Sequence, residues 1–156
     1  MCFKAFIMSY YLPDCPVNRP ILYVVVHCSA SKVTTNFTLK DLHHLHVDIC
    51  HWSDIGYHFY ITKDGKIHNC RPISKIGAHV KGYNAVSIGV CYEGGLNARG
   101  RPADTRTPEQ KKSLIEVLSA IKERFPKAKI VGHYELGANK DCPVFCASKE
   151  YAYLNK

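Results

Sequence analysis

The chain has 156 residues, 46% of them apolar and 22% charged, values that fit one globular domain and argue against a disordered or membrane-embedded protein. Lys and Arg number 21 against 13 Asp and Glu; the resulting formal charge of +8 points to a polyanionic partner without choosing among nucleic acid, an anionic membrane face and an anionic polymer. The eight cysteines are scattered and several sit in apolar runs. A chain of this length buries a core without covalent staples, so reduced thiols packed as small hydrophobes are expected.

In chain order, residues 1–20 contain Pro13, Pro16 and Pro20 and no clean hydrophobic period, and they read as an arm over a domain spanning 21–156. The run Met1 to Pro13 is apolar, but it carries Lys4 and lacks a convincing cleavage site, which makes it a poor signal peptide. No later run approaches the roughly 18 apolar residues of a membrane span. Ile21-Leu-Tyr-Val-Val-Val is a continuous β-branched run, the pattern of a strand covered on both faces, and it ends at His27. Thr38-Leu-Lys-Asp then opens a helix predicted over about 39–50, with Leu39, Leu42, Leu45 and Ile49 as its apolar stripe.

Tyr57-His-Phe-Tyr-Ile and Lys66-Ile-His-Asn flank Lys63-Asp-Gly, which predicts two antiparallel strands. Strand alternation puts Tyr57 with Phe59 on one face and His58 with Tyr60 on the other, so His58 is expected to be structural. Gly77 to Asn84 is a glycine-bearing loop, and Val86 to Tyr92 is a second buried strand. Arg99-Gly-Arg-Pro is an exposed connection. Thr107-Pro-Glu-Gln is the clearest local signal, with Thr at the N-cap, Pro at N1 and Gln at N3 of a helix that Pro126 ends. Lys129-Ile-Val is a short strand that delivers His133, and the tail through Tyr151 and Tyr153 has no clear pattern. The whole is a single α/β domain with a mixed central β-sheet flanked by helices.

Hydrolytic zinc sites take three protein ligands and leave a fourth position for water. His27 at one strand end, His133 at another and Cys142 in the following loop offer such a set. On spacing alone, nine histidines and eight cysteines allow many other triples, and the same three residues also read as satisfied polar groups and a buried thiol. The cluster His43, His44, His46 and His51 falls on and after a helix and alternates faces, so it reads as a solvated helix surface. Cys28 points away from His27 and reads as packing.

A series of short motifs occurs in order: His27-Cys-Ser-Ala-Ser, Asp54-Ile-Gly-Tyr-His-Phe-Tyr-Ile, Gly77-Ala-His-Val-Lys-Gly-Tyr-Asn, Ser87-Ile-Gly-Val-Cys-Tyr-Glu-Gly-Gly, Gly132-His-Tyr-Glu-Leu and Lys140-Asp-Cys-Pro-Val-Phe. It resembles the zinc-dependent N-acetylmuramoyl-L-alanine amidases of the phage-lysozyme and peptidoglycan-recognition-protein superfamily, over roughly residues 21–146. The resemblance implies Zn2+ as cofactor, held by His27, His133 and Cys142. It implies Tyr57 and Lys140 at the catalytic centre and His79 in contact with substrate. The implied reaction is hydrolysis of the amide bond between N-acetylmuramic acid and L-alanine in peptidoglycan; the alternative is a recognition module that binds peptidoglycan without cutting it.

No nucleic-acid-reading motif accompanies the positive charge, so no nucleic-acid partner is expected. Nor is stable membrane association, and a monomer is. The poor signal peptide fits synthesis in the cytoplasm and action at the cell wall after release. Two features depart from the family pattern: Cys146, which stands where an acidic residue is common and offers a rival metal ligand or a disulfide partner for Cys142, and the N-terminal arm, which has no match.

Overall fold

In a computed structural model, Leu12 and residues 15–156 are described, so the arm is described only at Leu12 and from Cys15 onward. The elements in chain order are β1 (Tyr23–Cys28), β2 (Ser31–Lys32), α1 (Leu39–His43), β3 (Phe59–Ile61), β4 (Ile67–Asn69), β5 (Ser87–Tyr92), β6 (Gly95–Leu96), α2 (Pro108–Arg124), β7 (Lys129–Gly132) and α3 (Ala147–Glu150). A five-stranded sheet runs β4-β3-β5-β1-β7, antiparallel only between β3 and β4, and β2 and β6 pair in a small second sheet. The fold is the expected mixed α/β domain.

β1 and β5 lie centrally and are covered on both faces, which is why they read as unbroken apolar runs. Val24, Val26 and Cys28 of β1 join Ile88, Val90 and Tyr92 of β5 against Leu114, Leu118 and Ile121 of α2. The opposite face carries Cys91 and Tyr60 against Leu42 and Ile55. Strand β1 begins two residues later than the apolar run and includes His27, which pairs with Cys91 instead of emerging at the strand end. Ile21, outside the strand, remains in the core.

Both capping boxes are present. Thr38 accepts from Asp41 N at the start of α1, and Thr107 accepts from Gln110 N at the start of α2. Caps of this kind contribute about 1 kcal/mol each. Gln110 reaches further: its Nε2 also donates to the carbonyls of Ile61 and Glu93, tying the helix start to β3 and the end of β5.

Two expectations are corrected. The helix predicted over 39–50 is α-helical only through His43 and continues as a π-helix over His44–Ile49. The wider winding shifts the inward face, so Leu42 and His46 are buried while Leu45 and Ile49 are exposed. Tyr57 precedes β3 and packs with the Tyr60 cluster, whereas Phe59 lies in the α2-side core; the alternation rule fails because residues 57 and 58 are outside the regular strand. His58 is structural, as expected: its Nδ1 accepts from Gly89 N and its Nε2 lies 2.9 Å from the Lys75 carbonyl. The tail forms α3 and buries Tyr151, while Tyr153 is exposed. Just before β1, the Arg19 guanidinium donates to the carbonyls of Ile73 and Ser87.

Candidate metal and catalytic site

Parallel pairing of β1 with β7 sets Val26 opposite Gly132, so the next residues, His27 and His133, stand side by side at the carboxyl ends of the strands. This is where open α/β sheets place their ligands. The two imidazole centroids are 4.6 Å apart. Cys142 arrives from the following loop, with its Sγ 3.7 Å from His27 Nδ1 and accepting from Cys28 N at 3.3 Å. One ligand atom from each of His27, His133 and Cys142 falls within 4.8 Å of the others.

The loop that brings Cys142 is held from several sides. His133–Leu136 forms a 3-10 turn in which Glu135 Oε2 accepts from Gly132 N at 2.6 Å and from Ser148 N at 3.2 Å. Tyr134 N donates to the Cys142 carbonyl, and the Tyr92 hydroxyl donates to the Pro143 carbonyl at 2.8 Å. Below it, the Arg106 guanidinium lies 3.5 Å from the Phe145 ring centroid while pairing with Asp104 and Glu150. Cys142 therefore sits on a tethered loop, its sulfur fixed beside His27.

The site is arranged to keep its imidazoles neutral. His27 is held well below the ordinary histidine pKa by burial, with the neighbouring His79, His133 and Lys140 acting in the same direction. His133 is lowered by burial and by Lys140. Neutral imidazole is the form that binds a metal. The hydrogen bond shared with Cys28, together with burial, raises the Cys142 thiol, so its ionised form needs a cation against it. Cys28 is on the α2-side core as expected, but its contact with Cys142 also makes it part of the site's floor.

An open cavity of about 800 Å³ lies over these residues and reaches Trp52, Lys81 and Asn84 on one side and Asn139 on the other. Tyr57 lines it, with its ring centroid 5.0 Å from that of His27. Burial raises the Tyr57 phenol well above its ordinary value, and Cys91 and Cys142 add to this, so it remains a hydrogen-bond donor. Lys140 is exposed at the rim. His79 borders the cavity too, but it is buried and its ring nitrogens face protein: Nδ1 is 2.8 Å from His27 Nε2, and Nε2 is 3.2 Å from Ser87 Oγ.

Two residues take other places than the sequence suggested. Cys146 stands at the N-cap position of α3 beside Glu135 and Ser148, outside the group around Cys142. His46 is not on a solvated surface: its Nδ1 accepts from Gly56 N at 3.0 Å, its ring lies 4.6 Å from that of Trp52, and both line the cavity. The Leu42-to-His46 spacing of four was the signal for it, masked by the apolar competitors Leu45 and Ile49.

The chain belongs to the N-acetylmuramoyl-L-alanine amidase family, whose model matches residues 17–145. It is 41% identical over 120 residues to an endolysin of Enterobacteria phage K11, covering 77% of this chain and 78% of that protein. It is 30% identical over 132 residues to peptidoglycan-recognition protein SC2 of Drosophila simulans, covering 78% and 67%. Among solved structures, an endolysin N-acetylmuramoyl-L-alanine amidase, LysCS from Clostridium intestinale, superposes with a TM-score of 0.72 at 30% identity, covering 90% of this chain and 89% of that one. The protein is thus a peptidoglycan amidase, a hydrolase of the N-acetylmuramoyl-L-alanine amidase type. Among the described residues, no helix is long and apolar enough to cross a membrane.

Proposed function

We propose that this amidase is zinc-dependent, that His27, His133 and Cys142 hold the ion, and that it cuts the bond between the lactyl group of N-acetylmuramic acid and the L-alanine of the stem peptide. The observation that carries this reading is the convergence of two neutral imidazoles and one thiol, with ligand atoms within 4.8 Å of one another. The donor set fits the ion: around a tetrahedral zinc, nitrogen and sulfur ligands stand roughly 3.3–3.6 Å apart, and Cys142 Sγ and His27 Nδ1 are 3.7 Å apart. What zinc supplies when bound is Lewis acidity, which acidifies water and polarises a carbonyl.

The chain's own groups do the rest. Lys140, two residues before Cys142 and on the cavity rim, places its ammonium where negative charge develops on the scissile carbonyl oxygen. Tyr57, protonated and beside His27, donates to that oxygen or orients the attacking water. The loop from Gly77 to Asn84, with His79 at its base, borders the groove that receives the stem. One chain supplies every one of these groups, so a monomer suffices. The +8 charge favours adsorption to an anionic cell wall, the place of action under this reading.

Digestion of purified peptidoglycan followed by mass spectrometry tests this. The expected products are stem peptides with a free L-alanine amino group and intact glycan strands; a strong chelator abolishes release and added zinc restores it. Release that is indifferent to chelation contradicts the zinc reading, and cleaved sugars contradict the bond assignment.

A further inference from the structure

Behind His27 lies a line of hydrogen-bonding groups that reaches away from the cavity and into the sheet. His27 Nε2 meets His79 Nδ1 at 2.8 Å, and His79 Nε2 meets Ser87 Oγ at 3.2 Å; His27, His79 and Ser87 are all buried. The surroundings are built around the His79 ring. A Cβ at Gly89, in the middle of β5, would fall 2.7 Å from His79 Cγ, and one at Gly77 would fall 2.7 Å from His79 Cδ2. Only glycine on either side leaves the ring its slot. The backbone is pinned as well, because Asn84 Oδ1 accepts from both His79 N, at 2.8 Å, and Val80 N, at 2.9 Å.

We infer that His79 is a positioning residue for the metal centre: it accepts the Nε2 proton of His27, and so keeps the Nδ1 lone pair of His27 turned toward Cys142 and the ion. A neutral imidazole has one donor and one acceptor nitrogen. His27 Nδ1 faces the Cys142 sulfur, 3.7 Å away, and must be free of a proton to bind an ion there. The proton then sits on Nε2 and needs an acceptor, which is His79 Nδ1. That leaves the His79 proton on Nε2, donated to Ser87 Oγ, and every nitrogen along the line has one role. Partners of this kind fix the tautomer and ring orientation of a ligating histidine, and removing one typically costs 10- to 100-fold in metal affinity. This gives His79 a different task from the substrate contact expected from its loop.

The inference rests on the zinc reading, and the test separates the two. Zinc affinity is measured by competition with a chromophoric chelator for the wild type, His79→Leu, His79→Asn and Ser87→Ala, together with thermal unfolding of each metal-free protein. Leu and Asn are close in size, but only Asn keeps an acceptor, Oδ1, near the position of Nδ1. His79→Leu is expected to bind zinc about 10- to 100-fold more weakly, His79→Asn to stay near the wild type, and Ser87→Ala, which leaves His79 in place, to show a smaller loss. Wild-type affinity in His79→Leu overturns the inference alone, as does an equal loss in His79→Leu and His79→Asn. A wild-type protein that takes up no zinc overturns the metal reading and this inference with it. Should His79→Leu fail to fold, Ser87→Ala decides: unchanged affinity overturns the proposal.

Discussion

The two halves of the site are built by different means. His27, with His79 and Ser87 behind it, belongs to the sheet and is wholly buried, with neighbouring strands fixing its register. His133, Lys140 and Cys142, each partly or fully exposed, belong to the segment after β7, which is held by its own Glu135 and Phe145 and by Tyr92 and Arg106 from elsewhere. The sheet half supplies fixed geometry. The loop half supplies the thiol and the cation, groups that under the zinc reading face both the ion and a large polymer. A rigid floor with a tethered but accessible wall suits a site whose substrate cannot be engulfed.

Replacing a proposed ligand on each side separates the two halves most sharply. His27→Ala and Cys142→Ala are both expected to lower peptide release below about one thousandth of wild type. Their metal-free proteins should differ. His27→Ala strips His79 of its buried partner and should lose about 2–3 kcal/mol in denaturant unfolding, whereas Cys142→Ala should lose less. Equal losses would contradict the division between floor and wall.

Arg106→Ala probes the tether. Its guanidinium is buried between Asp104, Glu150 and Phe145, and removing one partner of a buried ionic network costs about 3 kcal/mol or more. Zinc affinity should fall with it, since Phe145 lies just beyond the Cys142 loop; a variant that is less stable yet binds zinc normally would uncouple the two. Next in size, Lys140→Ala should lower kcat about 100-fold with folding and zinc content unchanged, and a change confined to KM would assign the lysine to binding instead.

The smallest effect concerns the floor alone. Burial lowers the His58 pKa from 6.5 to about 4 in the folded protein. The unfolded chain therefore binds more protons in that window, and stability is lost as the pH falls from about 6.5 toward 4. Between pH 7 and 4.5 the His58 contribution is on the order of 2 kcal/mol. A histidine NMR titration should place its midpoint near 4, and a midpoint near 6.5 would contradict the buried, neutral role.

Much of this was readable from residue order. The β-branched runs of β1 and β5 announce strands covered on both faces, and both capping boxes announce helix starts to the residue, because each is a local signal with a local cause. The three candidate metal-site residues were legible only through the ordered motifs, since spacing alone left many other triples open. The π-helical continuation after His43 was not legible: one extra residue per turn leaves no mark in composition, yet it moves His46 from the surface into the cavity wall. Nor was the His79 slot, because Gly89 in the middle of a strand takes its meaning from a ring ten residues earlier in the chain. Long-range contacts of this kind have no periodicity to read.

Zinc K-edge X-ray absorption on the metal-loaded protein tests the central claim most directly. The account predicts a four-coordinate ion with two nitrogen ligands near 2.0 Å, one sulfur near 2.3 Å and one light-atom ligand. A shell without sulfur, or one with two or more sulfurs, would contradict the assignment of His27, His133 and Cys142.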